Sequence, residues 1–487
     1  MLPGFIDAHS HFMFALNMVN QVNVAPPPVG SVTDIPSLID ALKKFQADRN
    51  TPEGEWIIGW GYDQDGLVEG RHITKTDIDA YFPDHRVMLI HVSSHGAVLN
   101  SRALEWAKID ATTATPVGGV ITRMPGSQEP AGLLMETAYL PVFENLPKPT
   151  EAEQLALMDN AQMDYAREGY THAQEGFTHL KDLDLLRKAA AQTEGGFFID
   201  IAAMPGFTEV GEWLGNPDYK FGVYENGLKL QGMKIVQDGS PQGKTALFTI
   251  SYLTGGPDRQ ENWYGESTMP YEKFAKIVKV ALDANIQVFV HANGDGAIDH
   301  VIKAVDEAGI TAEDDRRTVV MHSQFQRPDH LDDYLRLGLT PSYFTVHTFF
   351  WGDVHVANMG VEKAHFISPM NAAKTKGIIA SNHTDFNVTP LDPMFLIWSS
   401  MARESRSGAI IGEDERVDAY TALQGLTTGP AYQLFEENRK GHIAEGLLAD
   451  FVVLSANPLK TDLKDIRDIT ILETIKGGNS IYVAAEQ

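Results

Sequence analysis

The stretch Gly4-Phe5-Ile6-Asp7-Ala8-His9-Ser10-His11 decides how this chain is read. A short apolar run of this kind reads as a buried strand. The His-x-His that ends it sets two imidazoles on one side, because residues i and i+2 of a strand point the same way. Two imidazoles converging at the C-terminal end of a strand can share one metal ion. For the motif alone, a pair of incidental surface histidines is the competing reading.

Working outward, seven more segments resemble this strand: 169–174, 197–202, 228–237, 287–291, 318–322, 340–345 and 377–383. Several are near-continuous apolar runs, as parallel strands buried on both faces require. Amphipathic stretches lie between them. Residues 271–284 set Phe274, Ile277, Val278 and Ala281 on one face, and 300–308 set Val301, Ile302 and Val305 on one face. Eight strands alternating with helices predict an α/β fold, a (β/α)₈ TIM barrel. The barrel is expected to be distorted, because roughly 150 residues separate its first two strands where connections of a few residues are usual. That interval predicts a large insertion after strand 1, at about residues 50–150, with strands near 55–60 and 87–92. The expected division is a barrel over 1–430 and a small C-terminal β-structure over 431–487, with strands at 441–444, 449–454 and 481–484.

Composition narrows the function. Against 39 Lys+Arg stand 65 Asp+Glu, a formal net charge of −26, which would repel nucleic acid and anionic membranes alike. The expected partner is a small-molecule substrate, with no nucleic acid and no membrane, and homo-oligomer formation is left open. The chain has no cysteine, so any metal must be held by His, Asp, Glu or a modified Lys. The first residues lack a basic region and carry Asp7, His9 and His11 inside the apolar run, so they do not read as a secretory signal. No stretch reaches the roughly 20 apolar residues of a membrane span. A cytoplasmic protein is the expectation.

Further ligand candidates sit at strand ends. His291 ends 287–291 and His322 ends 318–322. A lone strand-end histidine is more often a satisfied core or rim residue, but two on successive strands, added to the first pair, favour a metal site. Asp385 follows the last strand. A carboxylate there can bind metal and take a proton from water, whereas an isolated Asp is more often a cap or turn residue. Lys234 lies inside the apolar segment 230–236, where a free ammonium is costly. Burial would leave a neutral amine able to take up carbon dioxide as a carbamate, an anion with two oxygens that bridges two cations. The alternative is a lysine whose head reaches solvent or pairs with Asp238. Beside four histidines and an aspartate, the bridging reading is preferred.

The chain resembles the amidohydrolase superfamily, in its amidohydrolase-3 branch of YtcJ-like proteins and N-substituted formamide deformylases. The matching segments are residues 3–11, 54–61, 94–101, 234–240, 291–295 and 383–385, which span nearly the whole chain. The resemblance implies that His9, His11, Lys234 (carboxylated), His291, His322 and Asp385 are metal ligands. It places His95, within the insertion, near the substrate. Trp351 to His355 form a second candidate pocket lining, and ordinary loop packing is an equal alternative for them. The implied activity is metal-dependent hydrolysis of a C–N bond, in an amide or N-substituted formamide, with Asp385 as general base. One or two zinc ions are expected, although iron, manganese and nickel also suit the donors. Two rivals remain. One is a mononuclear deaminase-type aminohydrolase using His9, His11, His291 and Asp385. The other is a catalytically silent binding or regulatory protein on the same scaffold.

Overall fold

The computed structural model describes residues 1–192 and 195–485. These fall into two compact units, one of Met1–Leu16, Thr150–Gln237 and Pro270–Gln487, the other of Asn17–Pro149 and Asp238–Met269.

The first unit holds all eight expected parallel strands: β1 (Phe5–Ile6), β2 (Tyr170–Thr178), β3 (Asp200–Pro205), β4 (Gly232–Val236), β5 (Gln287–Ala292), β6 (Val319–His322), β7 (Thr340–Tyr343) and β8 (Ser381–Asn382). One sheet runs in the order Tyr224–Glu225, Leu228–Leu230, β3, β2, β1, and the other in the order β4 to β8. The expected strand 228–237 is broken at Gln231. Its first arm, Leu228–Leu230, pairs in parallel with β3, and its second arm, β4, pairs in parallel with β5. Isolated parallel bridges join Gly206 to Lys234 and Ser10 to Phe386. The architecture is α/β and TIM-barrel-like.

Helices follow the strands as their periodicity requires. Tyr271–Asp283 buries Phe274, Val278, Ala281 and Leu282, and Asp295–Glu307 buries Ile298, Val301, Ile302 and Val305. Side chains fill the interior between strands. Ile6 of β1, Met204 of β3, Phe289 of β5 and Val319 and Met321 of β6 pack with Ala431 and Leu434 in one cluster.

The tail forms a four-stranded antiparallel sheet of Leu2–Pro3, Phe451–Leu454, Ile471–Lys476 and Asn479–Val483. The start of the chain thus contributes a strand to it. Segment 441–444 carries no strand.

The second unit is built on a six-stranded sheet in the order Val22–Asn23, Trp56–Tyr62, Arg86–His91, Gly96–Leu99, Pro130–Glu136, Gly119–Arg123. Its first three strands are parallel and the others antiparallel. Helix Ile35–Arg49, capped by Asp34, packs Leu38, Ile39 and Leu42 into one core with Ile57, Val87 and Leu133.

Candidate metal centre

The C-terminal ends of the strands bring the predicted residues together. Three residues past β1, His9 Nε2 lies 3.4 Å from Asp385 Oδ1, and His11 Nε2 lies 3.6 Å from the same oxygen. His322, the last residue of β6, has Nδ1 3.9 Å from Asp385 Oδ2. Lys234 Nζ, from the middle of β4, is 3.2 Å from His9 Nε2. His291, from β5, packs its ring edge-on to His322 with centroids 4.5 Å apart. His9, His322 and Asp385 offer ligand atoms that all lie within 4.8 Å of one another.

The backbone is shaped to hold this cluster. Past their strands, the first and last segments are stitched together. Asp385 N donates to His9 O at 3.0 Å and His11 N to Phe386 O at 2.7 Å, while Thr384 Oγ1 donates to Asp7 Oδ2 at 2.5 Å. His322 and Asp385 adopt left-handed φ of +69° and +49°, costly for non-glycine residues and common where function dictates geometry. Gly176 lets β2 close on His9, since a Cβ there would fall 2.3 Å from His9 Cε1.

Electrostatics favour a cation. Burial, with neighbouring positive groups, keeps His9, His322 and His383 well below the ordinary imidazole range, in the neutral form that binds metal. The buried Nδ1 of His9 has no hydrogen-bond partner among the described residues. Burial also lowers the Lys234 amine to about 7, against the opposing pull of Asp385 and Glu175. A substantial neutral fraction near neutral pH is the precondition for a carbamate. Lys234 is only 2% exposed, which rules out a head group resting in solvent. Four imidazoles, one carboxylate and an amine of this kind fit one or two divalent cations.

Three residues of this cluster were not singled out from sequence. His383 lies against the predicted set, its Nε2 3.1 Å from His322 Nδ1 and its Nδ1 2.8 Å from Ser342 Oγ. Glu175 of β2 accepts from Met13 N at 2.7 Å and faces His11 Nδ1 at 4.0 Å, and burial raises its carboxyl to about 8. Asp7, raised to about 7 by burial despite its bonds from Thr384, forms the clamp to the last strand. The His383-x-Asp385 spacing repeats that of His9-x-His11 and was the available signal for the first; the two carboxylates carried none.

Trp351 and His355 lie buried in helix His347–Met359, where His347 Nδ1 and His355 Nε2 are 3.1 Å apart and the Trp351 ring packs on His347 at 4.4 Å. His95 belongs to the second unit, where its Nδ1 lies 2.9 Å from Glu136 Oε2.

A second buried group with metal-ligand character, His172, Asp200 and Glu436, already contains a cation. Lys440 Nζ sits 2.9 Å from His172 Nδ1, 2.5 Å from Asp200 Oδ2 and 2.9 Å from Glu436 Oε2. No helix among the described residues is long and apolar enough to cross a membrane.

A metal-dependent hydrolase from Pyrococcus horikoshii OT3 superposes with a TM-score of 0.72 at 21% identity, covering 95% of this chain and 87% of that one. YtcJ of Bacillus subtilis (strain 168) is 27% identical over 99% of this chain and 89% of its own length. The N-substituted formamide deformylase of Arthrobacter pascens is 25% identical over 98% of this chain and 87% of its own length. The model of the amidohydrolase family matches residues 1–482. The chain belongs to that family, and is a hydrolase acting on carbon–nitrogen bonds.

Proposed function

We propose that the protein hydrolyses a small amide, in first place an N-substituted formamide, to an amine and a carboxylic acid. One observation carries this reading: His9, His11, Lys234, His291, His322 and Asp385, spread over more than 370 residues of chain, converge through the contacts described above. The similarity to the Arthrobacter pascens deformylase supports the choice of substrate class. In this reading the two sheets of the first unit close as one barrel within residues 1–430, the insertion follows strand 1, and 431–487 form an accessory β-domain. His9, His11, His291, His322 and Asp385 would hold one or two zinc ions, and Lys234, as a carbamate, would supply a further anionic donor. A divalent ion bound there supplies Lewis acidity, lowering the pKa of water towards about 7 and polarising a carbonyl. Asp385 accepts the proton of the attacking water through its carboxylate and returns it to the leaving nitrogen. Glu175 and Asp7 hold His11 and the Asp385 segment in register.

The test is turnover of a panel of secondary formamides and acetamides by zinc-loaded protein, followed as release of acid and amine. Formate release from at least one formamide is the expected result. Loaded protein that cleaves no amide in the panel would overturn the reading.

A further inference from the structure

A chain of hydrogen bonds leads from the candidate metal centre into the core of the first unit, and its protons can be placed one bond at a time. At its far end, Gln433 Nε2 donates to Pro341 O at 2.9 Å. That fixes the amide with Oε1 toward Ser381 Oγ, 2.6 Å away. An amide oxygen only accepts, so the one hydroxyl proton of Ser381 lies on that bond. Ser342 Oγ is 2.8 Å from Ser381 Oγ. With the Ser381 proton already placed, Ser342 supplies the proton between the two hydroxyls. Ser342 Oγ is also 2.8 Å from His383 Nδ1. Having no second proton, Ser342 accepts here, and His383 carries its proton at Nδ1. A neutral imidazole protonated at Nδ1 keeps a lone pair at Nε2. That nitrogen lies 3.1 Å from His322 Nδ1.

The fold holds this chain in place. Ser342 of β7 and Ser381 of β8 are paired in register on neighbouring parallel strands. Ser342, Ser381 and His383 have no exposed surface, and Gln433 and His322 are each 2% exposed. Bulk solvent therefore has no direct access through which to rearrange the protons. The His322 ring packs edge-on to His291 and His9, with centroids 4.5 Å and 5.3 Å apart. With its Nδ1 engaged by His383, Nε2 is the nitrogen of His322 left for a cation. A metal-binding histidine characteristically donates its other N–H to a fixed acceptor, which sets the tautomer and raises the basicity of the ligand.

We propose that His383 is a positioning residue: held by Ser342, Ser381 and Gln433, it accepts a hydrogen bond from His322 Nδ1–H and so presents His322 Nε2 as the donor atom to the metal. His383 is not itself a ligand; an imidazole takes the place that a carboxylate or carbonyl usually fills behind a metal-binding histidine. The role of His383 rests on the metal-centre reading above; the proton order from Gln433 to His383 does not.

¹⁵N NMR of histidine-labelled protein, with the His383 signals assigned by their loss in His383→Gln, reads the proton positions. His383 should show Nδ1–H and an unprotonated Nε2, with and without zinc. In protein loaded with ¹¹³Cd, neither nitrogen of His383 should show coupling to cadmium. His383→Gln sets an amide oxygen near the former Nε2 and can still accept from His322, whereas His383→Leu cannot. Zinc affinity, measured by competition with a chelator, should fall about 10–100-fold in His383→Leu, the scale for losing such a partner, and stay within about threefold in His383→Gln. A His383 proton at Nε2 overturns the proposal. Cadmium coupling to His383 also overturns it, and would make the residue a ligand. So does an equal loss of affinity in both variants, or no loss in His383→Leu. The parent spectra decide the point even if His383→Leu does not fold. If parent protein binds neither ion, the metal-centre reading falls and the role of His383 with it, while the proton found at Nδ1 or Nε2 still decides the order of the chain.

Discussion

Asp385 stands where three imidazoles meet, with His9 and His11 on one carboxylate oxygen and His322 nearest the other. Its two roles, ligand and base, separate on mutation. Asp385→Asn keeps an oxygen donor but cannot accept a proton near neutral pH. The expected outcome is partial retention of metal with turnover down about 10²–10⁴-fold, read by metal analysis and kinetics on the same preparation. A proportional fall of metal and rate would leave Asp385 only a ligand. Gly176 offers a check without touching a donor atom. The Cβ of Gly176→Ala would press on His9 Cε1 and push the ring from its place. Weaker metal binding, seen by competition with a chelator, is expected, and unchanged affinity would show that His9 does not need that position. Residues were legible from the sequence where spacing or strand ends announced them. His9 and His11 follow from a period of two, and His291 and His322 from the apolar runs they end. His383 was passed over although its spacing to Asp385 repeats that of His9-x-His11, because only the aspartate of that segment was weighed as a ligand. Glu136 and Glu175 lie against His95 and His11, 41 and 164 residues away, with no local pattern to mark them.

At the level of elements, the starts of β2 and β3 carry the other buried polar group. His172 of β2 pairs in register with Asp200 of β3, and Lys440 reaches both together with Glu436. Burial alone would raise Asp200 and Glu436, but Lys440, with Lys476 beside Asp200 and Lys229 beside Glu436, outweighs it and holds both carboxyls well below their usual range. Burial would likewise lower Lys440, yet the two carboxylates hold it raised. The stabilisation from the depressed carboxylates is therefore complete above their unfolded pKa values, about 4, and is lost as pH falls through the folded ones. That from Lys440 is complete below about 10.4 and is lost at higher pH. Lys440→Met leaves two buried carboxylates undercompensated and should cost about 3–5 kcal/mol in denaturant unfolding near neutral pH. The gap to the parent protein should narrow below about pH 4, where the stranded carboxyls can protonate. A gap that is constant across pH would assign the loss to packing instead. One strand expectation also needed amending. Segment 228–237 reads as a single apolar run, yet it changes partner at Gln231, and Lys229 of its first arm is drawn to Glu436. The Lys229–Glu436 pair joins residues some 200 positions apart, beyond the reach of hydrophobic periodicity.

For the whole molecule, eight of the parallel strands were legible because several, such as β5 and β6, are buried and mainly apolar and helical stretches alternate with them. The second unit was only partly so. Its parallel strands Trp56–Tyr62 and Arg86–His91 stand out, whereas Asp238–Met269 joins it with no regular element to betray the association. Metal binding to the native state alone should raise its stability by about 2.7 kcal/mol at a free metal concentration a hundredfold above Kd. The melting temperature should rise on adding zinc to chelator-treated protein, and His9→Ala should blunt that rise. Equal shifts in parent and variant would place the stabilising ion elsewhere.

The central claim is that one cluster at the strand ends of the first unit makes this chain a metal-dependent amide hydrolase. Its most direct test is a titration of chelator-stripped protein with zinc, recording bound metal per chain and formamide turnover together. The account predicts no turnover in stripped protein, activity that rises with occupancy and saturates at one or two ions per chain, and no such recovery in His9→Ala. Stripped protein that hydrolyses formamide at the rate of loaded protein would contradict it.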